Sequence, residues 1–211
     1  MVVIGVTGGV ATGKSTVARL FRRRGAVVLD ADAIAHELMR PRRVAWRAIR
    51  RAFGKGVLGV DGRVNRRRLA AVVFRHAARR RRLEGILHPL VYRRIRRDVA
   101  RLCRRRGVPA VVLDVPLLFE TRGQRLADVV VVVTAPRAVQ RARWARHPGG
   151  TQEALDARMR AQWKLSAKAA LADYVVDNAN GLDATRTQVG QIWKAVVPPR
   201  PGHRPSSTSR R

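Results

Sequence analysis

The sequence predicts an α/β fold: a parallel sheet flanked by helices and built around a phosphate-binding loop, with a helical insertion and a helical hairpin added. Three observations carry that prediction. The stretch Gly8-Gly9-Val10-Ala11-Thr12-Gly13-Lys14-Ser15 fits the pattern G-x-x-x-x-G-K-[ST]. Short apolar runs recur along the chain, several ending in Asp or Thr just where helical periodicity takes over. The segment 41–106 carries apolar residues at helical spacing and no comparable apolar run.

Met1 to Val6 reads as a buried strand leading into the loop, and Thr16 to Phe21 as the first turns of a helix that runs to Arg24 and stops at Gly25. Strand, glycine loop and helix together define a P-loop NTPase core. Glycines let backbone N–H groups converge on an anion, and the helix adds the positive end of its dipole. The pattern places Lys14 on the β- and γ-phosphates and the Ser15 hydroxyl on Mg²⁺. Ala26-Val27-Val28-Leu29 is a second short buried strand, delivering Asp30-Ala31-Asp32 at its carboxyl end, which in open α/β sheets faces the ligand crevice. A helix starts over Ala33 to Met39, carrying His36 and Glu37.

In 41–106, Leu69, Val72 and Val73, then Leu83, Ile86 and Leu87, mark helical faces; Gly54-Lys55-Gly56 and Asp61-Gly62 mark turns, and His88-Pro89 is expected to interrupt the helices. Ala110 to Leu113 is a strand ending in Asp114. That carboxylate is either a Walker-B residue near the Mg²⁺ shell or a cap of the next turn. Val129 to Val133 is a further buried strand, closed by Thr134-Ala135-Pro136. Gln140, Arg143 and Arg146 recur at intervals of three and share a helical face. His147-Pro148-Gly149-Gly150 is a joint, and Thr151 an N-cap for a helix through about Leu171. Two arginine-bearing helices on a hinge suit a lid over phosphates, or else a solvated basic hairpin. Tyr174 to Asn178 gives a last strand and turn, and Leu182 to Val197 a closing helix. From Pro198 the chain turns into a Pro-, Ser- and Arg-rich basic tail expected to be disordered.

The formal charge of +31 normally suggests a nucleic acid or an anionic membrane. Here five of the 45 basic residues are lysine, arginines are spread along most of the chain, and only 5% of residues are aromatic. Stacking platforms for bases are few, so an arginine-rich surface suited to a polyanionic substrate is the preferred reading, with no nucleic acid and no membrane as partner. The longest apolar run, Val129 to Val133, is too short to span a bilayer. One cysteine, Cys103, allows no internal disulfide and points to a reducing, cytoplasmic setting. One cysteine and five scattered histidines make no zinc pattern. No pattern sets an oligomeric state.

The chain lacks the Asn-Lys-x-Asp motif of guanine readers and the Leu-Ser-Gly-Gly-Gln signature of transport ATPases. A small kinase remains, with Asp32 placed to orient or deprotonate an acceptor hydroxyl. At this point the residues carry a resemblance. Val6-Thr7-Gly8-Gly9 through Ser15, followed by Asp30-Ala31-Asp32-Ala33-Ile34-Ala35-His36-Glu37-Leu38, resembles the opening of dephospho-CoA kinases. The likeness continues through Asp61-Gly62-Arg63-Val64-Asn65-Arg66 with Leu69 and Phe74, and through Leu83-Glu84-Gly85-Ile86-Leu87-His88-Pro89-Leu90-Val91. It resumes at Asp114-Val115-Pro116-Leu117-Leu118-Phe119-Glu120, at Gln140 with Arg143, at Arg158 with Gln162, and at Ala172 to Asn178, so that it spans about residues 2–197.

The resemblance implies ATP-dependent phosphorylation of the ribose 3′-hydroxyl of dephospho-CoA, with ATP and Mg²⁺ as cofactors and a small-molecule partner. It implies a nucleotide-binding core (1–40, 107–136 and 172–197), a helical CoA domain (41–106), a lid (137–171) and a tail (198–211). It implies that Asp32, Lys14 and Arg143 are catalytic, and that ATP is held by Ala11, Thr12, Gly13, Lys14, Ser15 and Thr16 with Arg143 and Arg146. On the acceptor side it implies Asp32, His88 and Leu117, and around Mg²⁺ it implies Ser15 and Asp114. From the residues alone, His88 reads equally as a helix-end cap. Ala11 stands where the family has glycine, Asn65 where it has aspartate, and His147 where the second lid arginine would fall, so that Arg146 is one residue out of step. Two other readings stay open: a kinase of nucleoside monophosphates or another small metabolite, and a nucleic-acid-binding ATPase using the charge.

Overall fold

The structure is a computed structural model and describes residues 1–74, 76–147 and 149–199. Five parallel strands form one sheet: β1 (Val2–Gly8), β2 (Val27–Asp30), β3 (Ala110–Asp114), β4 (Val129–Thr134) and β5 (Tyr174–Asp177), in the order β2-β3-β1-β4-β5. Every pairing is parallel, so each connection crosses a face, and both faces of the sheet are covered. That accounts for the unbroken apolar runs of the central strands.

Alternation divides those runs between two cores. Ile4, Val6, Val131 and Val133 point toward Val17 and Phe21 of helix α1 (Lys14–Arg23) and toward Val189 and Ile192 of α9 (Gly181–Val196). Val3, Leu113, Val130 and Val132 point the other way, onto Ile34 of α2 (Ala31–Leu38) and Val91 and Ile95 of α5 (Ala77–Cys103). Strand β2 differs from its expectation: its apolar residues are only half-buried, because it is an edge strand with a single neighbour.

Between α2 and β3 lie α3 (Val44–Phe53), a single 3₁₀ turn, α4 (Arg66–Phe74) and α5. Among the described residues their one strand-like feature is an isolated Leu58–Val64 bridge. Ile49, Val57, Leu69 and Val73 make a separate small core, against which Leu83, Ile86 and Leu87 of α5 pack. The expected break at His88-Pro89 does not occur. Pro89 lies inside the 27 residues of α5; it has no N–H for the Gly85 carbonyl, a local cost of about 3 kcal/mol or more. Packing outweighs it, since the turns before Pro89 sit in the small core and Val91, Ile95 and Leu102 after it sit on the sheet.

After β4 come α6 (Arg137–Ala145), α7 (Gln152–Arg160) and α8 (Leu165–Ala170). Thr151 caps α7 as expected, its side chain accepting from the Ala154 N–H at 3.2 Å. The single helix expected through Leu171 is two helices: α7 ends with Ala161 as its cap, and α8 starts anew to lay Leu165 and Ala169 on the sheet core. Pro148 of the expected joint and residues 200–211 of the expected tail lie outside the described residues.

Candidate active site

The loop between β1 and α1 stands over the carboxyl ends of the central strands. Gly13 takes φ +92°, and an added Cβ there would meet the Asn178 side-chain nitrogen at 2.0 Å, so only glycine fits. Ala11 also takes a positive φ, +55°, which gives the missing glycine a physical meaning: the left-handed region costs an L-residue about 1–2 kcal/mol. The loop is cross-braced. Lys14 Nζ donates to the Gly9 carbonyl at 2.9 Å, and the Thr12 hydroxyl donates to the same oxygen at 3.0 Å. The Thr12 carbonyl accepts from Asn178 Nδ2 at 2.7 Å and from Arg143 Nη1 at 3.1 Å. Arg143 Nη2 donates to the Asn178 carbonyl at 2.7 Å, and the Thr185 hydroxyl donates to Asn178 Oδ1 at 2.8 Å.

Of the expected ATP residues, 11–16 form this loop and the first turn of α1, the Thr16 N–H closing on the Gly13 carbonyl at 2.9 Å. Arg143 is brought to the loop. Arg146 is exposed at the C-cap of α6.

Asp114 lies buried at the end of β3, opposite Asp30 in the strand register, and Asp32 sits exposed in the first turn of α2. Asp30 caps that helix, accepting from the Ala33 N–H at 3.0 Å, which leaves Asp32 to the crevice. These charges act on one another. Burial pulls the Lys14 ammonium below its usual pKa, while Asp114, Asp32 and Glu120 oppose the shift. Burial pushes Asp114 up to about 6; Lys14 opposes this, and Asp30 and Asp32 add to it. Asp32 is further fixed through its helix: Arg94 of α5 bridges Glu37 of α2 at 3.1 Å and Asp98 at 2.7 Å.

Beside these groups opens a cavity of about 630 Å³ between α5 and the chain following β3, within the range of small-molecule sites. It brings His88 and Leu117 together, with Tyr92 and Glu120 in the same wall. His88 is not a helix-end cap, since α5 runs on past it, and burial lowers its pKa against the pull of Glu84. Glu120 joins cavity and loop, since it lines the one and its charge acts on Lys14 in the other.

Sequence reasoning gave no role to Lys168, whose side chain is wholly buried. It pairs with Glu120 at 2.7 Å and donates to the Pro116 carbonyl at 3.1 Å, an oxygen that also accepts from the Thr7 hydroxyl. This fixes the turn leading from Asp114 to the cavity wall. Glu120 closes the stretch that runs on from Asp114, but nothing local in Leu165 to Ala170 announces that its lysine is buried.

An exposed hydroxyl at Ser15 and a buried carboxylate at Asp114 fit Mg²⁺, which takes one or two protein oxygens and completes its shell with phosphates and water. Among the described residues no three His, Cys, Asp or Glu side chains group as a metal site of their own. No helix among them is long and apolar enough to cross a membrane.

A family model described as dephospho-CoA kinase matches residues 2–184. The dephospho-CoA kinase of Symbiobacterium thermophilum is 46% identical over 196 residues, which cover 93% of this chain and 82% of the relative. That of Anaeromyxobacter dehalogenans is 49% identical over 184 residues, 87% of each chain. A solved structure from Thermus thermophilus superposes with a TM-score of 0.79 at 33% identity, covering 93% of this chain and 98% of that one. The dephospho-CoA kinase from Campylobacter jejuni superposes with a TM-score of 0.68 at 23% identity, covering 92% and 96%, a likeness that shows the fold.

Proposed function

The chain belongs to the dephospho-CoA kinase family, and from that premise we propose how its residues divide the phosphorylation of the ribose 3′-hydroxyl of dephospho-CoA by ATP, the last step of coenzyme A synthesis. The observation that carries the reading is the meeting of Lys14, Asp32 and Asp114 in one electrostatic neighbourhood, with the cavity of His88 and Leu117 beside it.

The loop holds the donor. Its N–H groups and Lys14 gather the phosphate oxygens, Lys14 exchanging the Gly9 carbonyl for an oxygen of the transferred group. Ser15 and Asp114 would hold Mg²⁺, and the ion when bound would supply neutralisation of charge on the phosphate oxygens. Asp32 accepts the proton of the acceptor hydroxyl or aligns it for in-line attack. His88 and Leu117 shape the acceptor site.

Arg143 serves the ATP site by stiffening the loop through the Thr12 carbonyl. Arg146, exposed at the end of α6, is the arginine that a closing lid would carry to the phosphates. The proposal keeps the division into core, helical acceptor domain (41–106) and lid (137–171). Two elements anchor the added parts to the sheet: the second half of α5 and helix α8. The setting is cytoplasmic, as a single cysteine suits, and the positive charge serves polyanionic small molecules rather than nucleic acid.

Coupled ADP release with dephospho-CoA beside AMP, CMP and adenosine tests the reading. Stimulation by dephospho-CoA and not by DNA or RNA supports it. A folded, ATP-binding protein that ignores dephospho-CoA overturns it.

A further inference from the structure

Helix α5 presents to the cavity a stripe that recurs every four residues and winds slowly around the helix: Arg80, Glu84, His88, Tyr92 and Arg96, with Arg93 beside it. The charges in this stripe are not equally committed. Arg80 lies 3.8 Å from Glu84, and across the cavity Glu120 is held by Lys168 and by the Trp163 N–H. The Tyr92 hydroxyl is engaged with Thr121. Arg94, on the other side of the same turn, is spent on Glu37 and Asp98. Arg93 and Arg96 make no ion pair or side-chain hydrogen bond among the described residues, and both are exposed where they meet the cavity.

Two uncommitted guanidinium groups three residues apart on a helix have Cβ atoms about 5–6 Å apart. Each offers a planar fork that matches a phosphate oxygen pair. Two linked phosphates match that spacing better than a single carboxylate or hydroxyl does. We propose that Arg93 and Arg96 clamp the diphosphate of the acceptor, fixing the distance from that group to the ribose hydroxyl at Asp32. This rests on the acceptor reading above and adds the residues that distinguish a nucleoside diphosphate ester from a simple nucleoside. The residues act in binding, remote from the transferred phosphoryl group, so their loss falls on acceptor affinity rather than on chemistry.

The test is steady-state kinetics of Arg93→Ala, Arg96→Ala and the double variant. Arg97→Ala, exposed on the same helix but outside the cavity wall, is the control. Each single change is expected to raise KM for dephospho-CoA about tenfold, from the loss of a charge-assisted contact. The double change raises it further, while KM for ATP stays unchanged and kcat stays within about threefold. Lysine at both positions, which keeps charge but not the fork, recovers part of the loss. The Arg97 control matches the unaltered protein. A double alanine variant with the original KM for dephospho-CoA overturns the clamp, as does an equal loss for ATP and acceptor. Absence of dephospho-CoA turnover in the unaltered protein would instead overturn the acceptor reading.

Discussion

Asn178 and Arg143 converge on a single oxygen: the side-chain amide of one and the guanidinium of the other both donate to the Thr12 carbonyl, at 2.7 and 3.1 Å. The phosphate loop is thereby tied to the turn after β5 and to α6, two elements distant in the chain. Asn178→Ala removes one donor and leaves the buried Thr185 hydroxyl with only the Gly181 carbonyl. A loss of about 1–3 kcal/mol in stability is expected, together with a raised KM for ATP. Urea denaturation and ATP titration check both, and an unchanged KM for ATP would remove Asn178 from the nucleotide site.

Ala11 gives a prediction of the opposite sign. At φ +55° a glycine is relieved of the left-handed cost, although Ala11 also packs on the cluster of Val10, Trp144 and Leu155. Ala11→Gly is expected to be neutral or to stabilise by up to about 1 kcal/mol, with activity retained. Ala11→Val, β-branched at the same φ, is expected to destabilise and to lower activity. Thermal melting of both separates the cases; a stable, active valine variant would contradict the loop conformation.

Lys168, wholly buried, and Glu120, mostly buried at the cavity wall, form an ion pair in which neither half is easily left alone. Lys168→Met leaves a carboxylate buried without its cation, for which about 3–5 kcal/mol is expected. Adding Glu120→Leu should recover much of that loss, because replacing both charges is far less costly than orphaning one. A double-mutant cycle by denaturation measures the coupling. Additive losses would show that the pair does not act as a unit.

Asp114 gives the pH dependence of the metal-free protein. Its carboxyl is raised to about 6 from 3.8 by burial first, with Lys14 opposing and Asp30 and Asp32 adding to the rise. Between about pH 4 and 6 the folded state holds a proton that the unfolded state has released, so stability falls as pH rises through that window and levels off above it. Asp114→Asn removes this component. The variant is expected to exceed the original protein above pH 6 by on the order of 2–3 kcal/mol, while losing activity with Mg²⁺ and ATP. Equal slopes of stability against pH for the two proteins would contradict the raised carboxyl.

These relationships also show what sequence can and cannot disclose. The phosphate loop is legible because its glycines are required locally, and Val129 to Val133 because both faces of an inner parallel strand are buried. Asp32 and Asp114 are legible because strand ends deliver them to one edge. The passage of α5 through Pro89 is not, since the local rule against proline is outweighed by two cores that the sequence does not place in space. Nor is the break between α7 and α8, which depends on where the sheet lies beneath Leu165 and Ala169. Lys168 is the clearest omission: lysine reads as solvated unless its carboxylate, 48 positions earlier in the chain, is known to face it. Arg143 was legible as a lid arginine on a helix facing the phosphates, but not as a donor to the Thr12 and Asn178 backbone carbonyls.

In the proposed mechanism the loop handles the donor while Asp32 handles the acceptor hydroxyl. Asp32 is exposed in the first turn of α2 and makes no side-chain hydrogen bond among the described residues, so Asp32→Asn should leave the fold intact. The measurement is kcat for dephospho-CoA and affinity for ATP in Asp32→Asn. A fall in kcat of about 10²-fold or more is expected, with ATP affinity nearly unchanged. Turnover within a fewfold of the original protein would contradict it.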